Sequence, residues 1–241
     1  MRIAVLSDIH SNLPALDAIL AHLGPVEAVW HLGDVVGYGP DPDRVVARLA
    51  EIGAIGVRGN HDAAAIGGPE IEWFNPEARA AIEWTRDTIS RATHAWLAAL
   101  PETRVIDDHT LVHGSPRDPL REYVTSLAAA RAAFADVTTP HALHGHTHVP
   151  IGFTLEAPGN VAAVLPEDGA TLDYTGRRAF LNPGSVGQPR DGVPAASGMI
   201  LDTDAASATW HRIAYDIEGV QRAMRTAGLP SRLADRLSFG V

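Results

Sequence analysis

The chain has 241 residues, 46% of them hydrophobic and 20% charged, which is enough to bury a substantial core in one α/β domain, and no apolar run approaches the roughly 20 residues of a bilayer span. A formal net charge of -10 argues against stable coating of nucleic acid, which depends mainly on Lys and Arg neutralising phosphates. With no cysteine, disulfides and thiolate ligands are excluded, so any metal site must use nitrogen and oxygen donors.

The opening "MRIAVLSDIH" carries one basic residue and a short apolar run without a full signal-peptide core or a small-residue cleavage site. It predicts a first strand and, by default, a cytoplasmic protein. "LPALDAILAHL" follows Asn12 and "PDRVVARLAEI" follows Asp41, two helices with a capping candidate each. Strand, helix, strand, helix, strand is a βαβ pattern, so the sheet is expected to be at least partly parallel. "NPEARAAIEWTRDTI" predicts a helix capped by Asn75 with Pro76 in its first turn, serving as scaffold or pocket wall. After Pro150, "IGFTLE", "RRAFLN", "SGMILDT" and "ATWHRIAY" are strand-like and separated by Gly, Pro and Asp, which suggests antiparallel pairing. From Ile217 the tail is helical with a break at Gly228 and Pro230. The expectation is a single domain over residues 1–241, compatible with two packed sheets and helices outside.

The strand-like runs end in polar clusters: "RIAVLSD" at Asp8, "AVWHLGD" at Asp34, "AIGVRGN" at Asn60, "TLVHGS" at His113 and "HALHGHTH" at His146 and His148. In open α/β sheets, ligands collect outside the carboxyl ends of strands. Asp8 and His10, one residue apart, share a side if that segment is extended, and so do His146 and His148. His144 can share their side, whereas His141 faces away. Glycines beside Asp34 and Asn60 allow sharp turns and close approach to an ion. His22, His31, His94, His109 and His211 have no such company and are expected in core or surface roles.

Taken in order, "DIH", "GDVVG", "GNHD", "VHGS" and "GHTH" resemble the motifs of the calcineurin-like metallophosphoesterases, and they span Asp8 to His148. The resemblance implies a four-layer αββα sandwich of two mixed β-sheets flanked by helices, with a pair of divalent metal ions at the strand ends. It also implies that Asp8, His10 and His148 hold one ion, that Asn60, His113 and His146 hold the other, and that Asp34 bridges them. His61, beside the metals, is then the general acid, and Asn60 also faces substrate. Manganese is the expected metal, with iron, zinc or nickel also compatible. Two cations about 3.5–4 Å apart lower the pKa of a shared water, which attacks as hydroxide, and bind phosphate oxygens. A protonated imidazole suits the donor role of His61, and Asp62 is assigned to a helix cap or turn.

Protein Ser/Thr phosphatases of this superfamily carry Asp-Arg-Gly where this chain has "GYG", Gly37 to Gly39. Loss of that Arg fork removes a bidentate grip on a phosphate dianion and favours a phosphodiester. Tyr38 can stack on a base, donate to phosphate, or pack on the following "PDP". Arg58 and Arg190 are the remaining candidates for phosphate contacts, Arg58 being more often structural, as an ion pair under the site. "NPGSVGQPRDG" also resembles a segment of small bacterial members, with Asn182 to Ser185 as a tight turn near the ligands. The expected function is hydrolysis of small phosphodiesters or nucleotides. Protein phosphatase, dinucleoside polyphosphate hydrolase and nuclease activities are the alternatives. A non-enzymatic scaffold is disfavoured by the complete ligand set, and nothing sets an oligomeric state.

Overall fold

Two six-stranded mixed sheets face each other in the computed structural model, which describes residues 1–156 and 159–241. In chain order the first elements are β1 (Arg2–Leu6), α1 (Leu13–Leu23), β2 (Ala28–His31), α2 (Pro42–Glu51), β3 (Ile55–Gly56), α3 (Asn60–Ala65), α4 (Pro76–Thr88) and α5 (Arg91–Ala99). A 3-10 turn, Pro69–Trp73, joins α3 to α4. Next come β4 (Thr103–Ile106), β5 (His109–Val112), α6 (Leu127–Asp136), β6 (His141–Leu143), β7 (Ile151–Glu156), β8 (Asn160–Val164), β9 (Thr171–Asp173) and β10 (Arg178–Asn182). The chain finishes with β11 (Ala196–Asp202), β12 (Ser207–Ile213), α7 (Ile217–Thr226) and α8 (Ser231–Asp235).

The sheet orders are β3-β2-β1-β11-β12-β9 and β4-β5-β6-β10-β7-β8. β1 runs parallel to β2, with Ile3 opposite Ala28, and antiparallel to β11. In the second sheet β5, β6 and β10 are parallel, whereas β10 and β7 are antiparallel. Strand alternation sorts the core. Ile3 and Val5 of β1 face the other sheet, joining Trp30, Leu111, Leu143, Leu181 and Trp210, while Ala4 and Leu6 face α1 and α2. On the far side Phe134 of α6 packs against Phe153 and Phe180. The layers are therefore helix, sheet, sheet, helix, as the motif resemblance implied. The buried Trp210 indole spans the middle and donates to the Asn182 carbonyl at 2.8 Å, so its one polar group is satisfied.

The expected caps divide. Asn12 accepts from the Ala15 amide at 3.2 Å and Asn75 from the Ala78 amide at 2.9 Å. Asp41 makes no cap bond, because its carboxylate takes the Arg44 guanidinium at 2.9 Å and Pro42 already presets the first turn. The tail breaks between α7 and α8, with Gly228 at φ 76°. The four strands expected after Pro150 all form, and the short β4, β8 and β9 complete the sheet edges. No helix among the described residues is long and apolar enough to cross a membrane.

Candidate metal centre

The carboxyl ends of β1, β2, β3, β5 and β6 open toward one edge of the sandwich, and their loops interlock. Asp8, His10 and Ser11 donate backbone N–H groups to Gly33, Asp34 and Val35 at 3.1, 2.9 and 2.9 Å, pinning the β1 loop to the β2 loop. Asp8, His10, Asp34, His146 and His148 all have positive φ, between 49° and 67°. The paired side chains therefore do not converge as i, i+2 partners of an extended strand, as the spacing alone suggested. Left-handed turns aim them, a conformation non-glycine residues hold only when the surrounding structure imposes it. Gly59 meets the need for close approach: a Cβ there would fall on the Asp34 carboxylate and amide.

Four imidazoles converge with their tautomers set by backbone carbonyls, which can only accept. His10 Nδ1 lies 3.2 Å from Val36 O, His113 Nδ1 2.8 Å from Leu32 O, His148 Nδ1 2.5 Å from Gln188 O, and His146 Nε2 3.2 Å from Arg121 O. In the neutral imidazole that a cation would bind, each of these nitrogens carries the proton, which leaves the other with a lone pair for the ion. Those lone pairs point at one another: His10 Nε2 is 3.2 Å from His148 Nε2, and His113 Nε2 is 3.0 Å from His146 Nδ1. Asp8 Oδ1 is buried with no hydrogen-bond partner among the described residues, and Asp34 Oδ2 lies 3.7 Å from His10 Nε2 and 3.4 Å from His113 Nε2. Facing lone pairs and bare carboxylate oxygens in a dry site repel unless cations lie between them. This donor set fits divalent metal ions.

The geometry separates into two groups. Asp8, His10, Asp34 and His148 each offer an atom within 4.8 Å of the others, and so do Asp34, His113 and His146. Asn60 Oδ1 is 3.0 Å from His113 Nε2 and so sits with the second group. Asp34 belongs to both, with Oδ1 accepting the His61 amide at 2.8 Å and Oδ2 free for the cluster. His113 shows how strong the local field is. Burial alone would depress its pKa, yet the Asp34 and Asp8 charges lift it to about 9, so without a cation His113 takes a second proton at Nε2, the proton an ion there would displace.

The other sequence-selected residues fall unevenly. The His61 ring stands edge-on to His10 at 4.8 Å and stacks on Phe74 at 4.5 Å. Its Nδ1 is walled off by Gly37, where an added Cβ would lie 2.5 Å away. Burial, partly opposed by Asp34, lowers the His61 pKa to about 4. Tyr38 turns into the cavity instead of onto "PDP", its ring 4.6 Å from His10 and 4.4 Å from His61. Arg190 reaches the same cavity and lies 3.3 Å from the Tyr38 hydroxyl. Arg58 does not line it: its guanidinium pairs with Glu102 at 3.1 Å, which corrects its candidacy as a phosphate contact. Asp62 caps α3 by accepting the Gly59 and Val36 amides at 2.9 and 3.0 Å, so it is not the partner of His61. His144 leaves the cluster to stack on Phe180, and Asn182 braces the His loop by donating to Gly145 O at 2.8 Å.

The cavity above these groups encloses about 300 Å³. Part of its wall had no signal in the sequence: Trp73, Phe74, Tyr123 and Arg236. Trp73 and Phe74 precede a helix cap and look like ordinary scaffold, and Arg236 lies in the tail, 88 residues past the last histidine motif at His148.

The two facing sheets with a buried Asp/His cluster at their strand ends define the class: an αββα sandwich carrying a candidate metal centre. Residues 1–206 match the calcineurin-like phosphoesterase superfamily domain, and the chain belongs to that superfamily. It resembles the crystal structure of a metallophosphoesterase from Sphaerobacter thermophilus, 45% identical, with a TM-score of 0.92 over 100% of this chain and 99% of that one. An uncharacterized protein of Methanocaldococcus jannaschii is 32% identical, covering 99% of this chain and 98% of its own length. Phosphodiesterase YfcE of Escherichia coli is 26% identical, covering 86% and 90%.

Proposed function

We propose that this protein is a cytoplasmic two-metal phosphodiesterase acting on small phosphodiesters or nucleotides. The observation that carries the reading is the pair of side-chain groups sharing Asp34 on the floor of a cavity that also holds His61. Asp8, His10 and His148 would hold one ion, Asn60, His113 and His146 the other, and Asp34 both. Divalent ions there, with manganese expected, supply Lewis-acid charge for a phosphoryl group and lower the pKa of a bound water.

The protein's own groups do the rest. Leu32, Val36, Arg121 and Gln188 carbonyls hold the ligand imidazoles in the tautomers a cation needs. Burial leaves His61 neutral in the free protein at pH 7, not protonated as the donor role suggested; the negative charge of an arriving phosphoryl group would raise its pKa, so that the ring takes a proton from solvent and, as imidazolium, gives it to the leaving-group oxygen. Phe74 and Tyr38 fix that ring and exclude water from its sides. A diester is favoured because Tyr38 replaces the Arg fork and aromatic walls can take an esterified group; the phosphodiesterase name of the Escherichia coli relative supports the same choice.

The test is turnover of bis(p-nitrophenyl) phosphate and p-nitrophenyl phosphate by purified protein with manganese, iron, zinc or nickel. Manganese-supported hydrolysis of the diester is expected. No turnover with any metal would reject the reading, and a monoester preference would reassign it to a phosphatase.

A further inference from the structure

Arg190 and Arg236 arrive at the cavity from separate parts of the chain, the loop after β10 and the short turn after α8. Their guanidinium carbons lie 6.0 and 4.9 Å from the centre of the Tyr38 ring. Neither forms an ion pair with a carboxylate among the described residues, although each has an acid next to it in sequence. Asp191 is drawn off by Arg212, and Asp235 by Arg225 at 2.6 Å. Arg190 has only neutral partners, Tyr38 Oη at 3.3 Å and Gln188 Oε1 at 3.2 Å, and its Nε is buried without a partner. Arg236 Nε and Nη2 are likewise buried and unsatisfied among the described residues.

Two cations gathered on one phenol ring, in a chain of net charge -10, with their neighbouring acids engaged elsewhere, form a costly arrangement for an empty pocket. Burial holds the Arg236 guanidinium below its ordinary pKa, and the nearby Arg190 charge adds to that. An anion entering between them removes the penalty and gains charge-assisted hydrogen bonds. Arg190 borders the metal floor, its backbone amide donating to the His148 carbonyl at 3.3 Å, while Arg236 lies on the Tyr38 ring at the outer side, so an anion held between the two guanidiniums sits next to the group on that floor. A second cavity of about 250 Å³ shares Asn75 and Arg236 with this one.

We propose that Arg190 and Arg236 form a clamp for a second phosphoryl group of the substrate, so that the enzyme selects esters carrying one beyond the reacting phosphate. This rests on the phosphoesterase reading of the metal floor.

Thymidine 5′-(p-nitrophenyl phosphate) and its 3′-phosphorylated counterpart share a leaving group and differ in one phosphoryl group. With manganese, the parent protein is expected to favour the phosphorylated ester by about tenfold or more in kcat/KM, mostly through KM. Arg190→Gln with Arg236→Gln should collapse that ratio toward one; either single variant carries the same test if the double variant does not fold. An equal loss on both esters would mean the arginines grip the reacting phosphate, and no preference in the parent would mean there is no clamp; each overturns the proposal. Titration calorimetry of chelator-treated protein with inorganic pyrophosphate needs no turnover. Binding by the parent, weakened about tenfold or more in the variant, is expected, and absent or unaltered binding overturns the clamp even if the protein hydrolyses diesters.

Discussion

Replacing His61 by Ala removes a ring that contacts His10, Tyr38 and Phe74 but lies outside the two candidate ligand groups. Turnover of the diester should fall by about 10²–10⁴-fold, while metal content measured by atomic emission stays at the parent level. Asp34→Asn tests the shared position. An amide there keeps the oxygen that accepts the His61 N–H but halves the acceptor set and removes the charge acting on both groups. Both ions should be lost together on dilution into metal-free buffer, whereas loss of one alone would contradict a shared ligand. Gly59 illustrates what a single residue's size decides, since the β3 loop can pass against Asp34 only without a Cβ.

Among the helices, capping depends on what else the cap residue can reach. Asn75 holds the start of α4, whose Ala78 lines the cavity beside Phe74, so the cap bears on both stability and the wall of the site. Asn75→Ala should cost about 1 kcal/mol in denaturant unfolding, and Asp41→Ala distinctly less, because the Asp41 carboxylate serves an exposed pair with Arg44 and not the α2 amides. Equal losses would show that the caps are not what separates them. The parallel runs β1-β2-β3 and β5-β6 explain why the motif loops share one edge: strands pointing the same way release their carboxyl ends together.

For the molecule as a whole, buried histidines outside the site make stability sensitive to acid. His31 is fully buried, stacks on Trp96 and has neither ring nitrogen hydrogen-bonded among the described residues; burial, with Arg104 adding, lowers its pKa to about 3. His109 is lowered to about 4 by burial and its neighbour His141. The unfolded chain therefore takes up protons first, and this stability is present above pH 6.5 and lost as pH falls toward 4 and 3. His31 alone should withdraw about 2 kcal/mol by pH 5, visible as a falling Tm between pH 7 and 5 that His31→Gln makes shallower. Metal acts in the opposite direction. Manganese at about 100 times its Kd should add about 2.7 kcal/mol and raise the Tm by about 5–10 °C, and no shift would count against ion binding by the folded cluster.

The candidate donors were legible from the residue order because an ion site needs particular side chains at the ends of strands, and both are local properties: Asp8, Asp34, Asn60, His113, His146 and His148 each follow a strand-like run. Helices α1 and α4, with their asparagine caps, were legible for the same reason. Only the folded chain decided which acids stay with which arginines. Asp41 goes to Arg44, Asp191 to Arg212 and Asp235 to Arg225, and these choices leave α2 without a side-chain cap and two guanidiniums bare around Tyr38. The Asp191–Arg212 pair and the burial of both free guanidiniums depend on which groups distant segments bring together, and hydrophobic and polar order along the sequence carries no record of that. The left-handed turns that aim Asp8, His10 and the last two histidines come from the same source, since a conformation unfavourable in isolation is held by hydrogen bonds and packing from several strands at once.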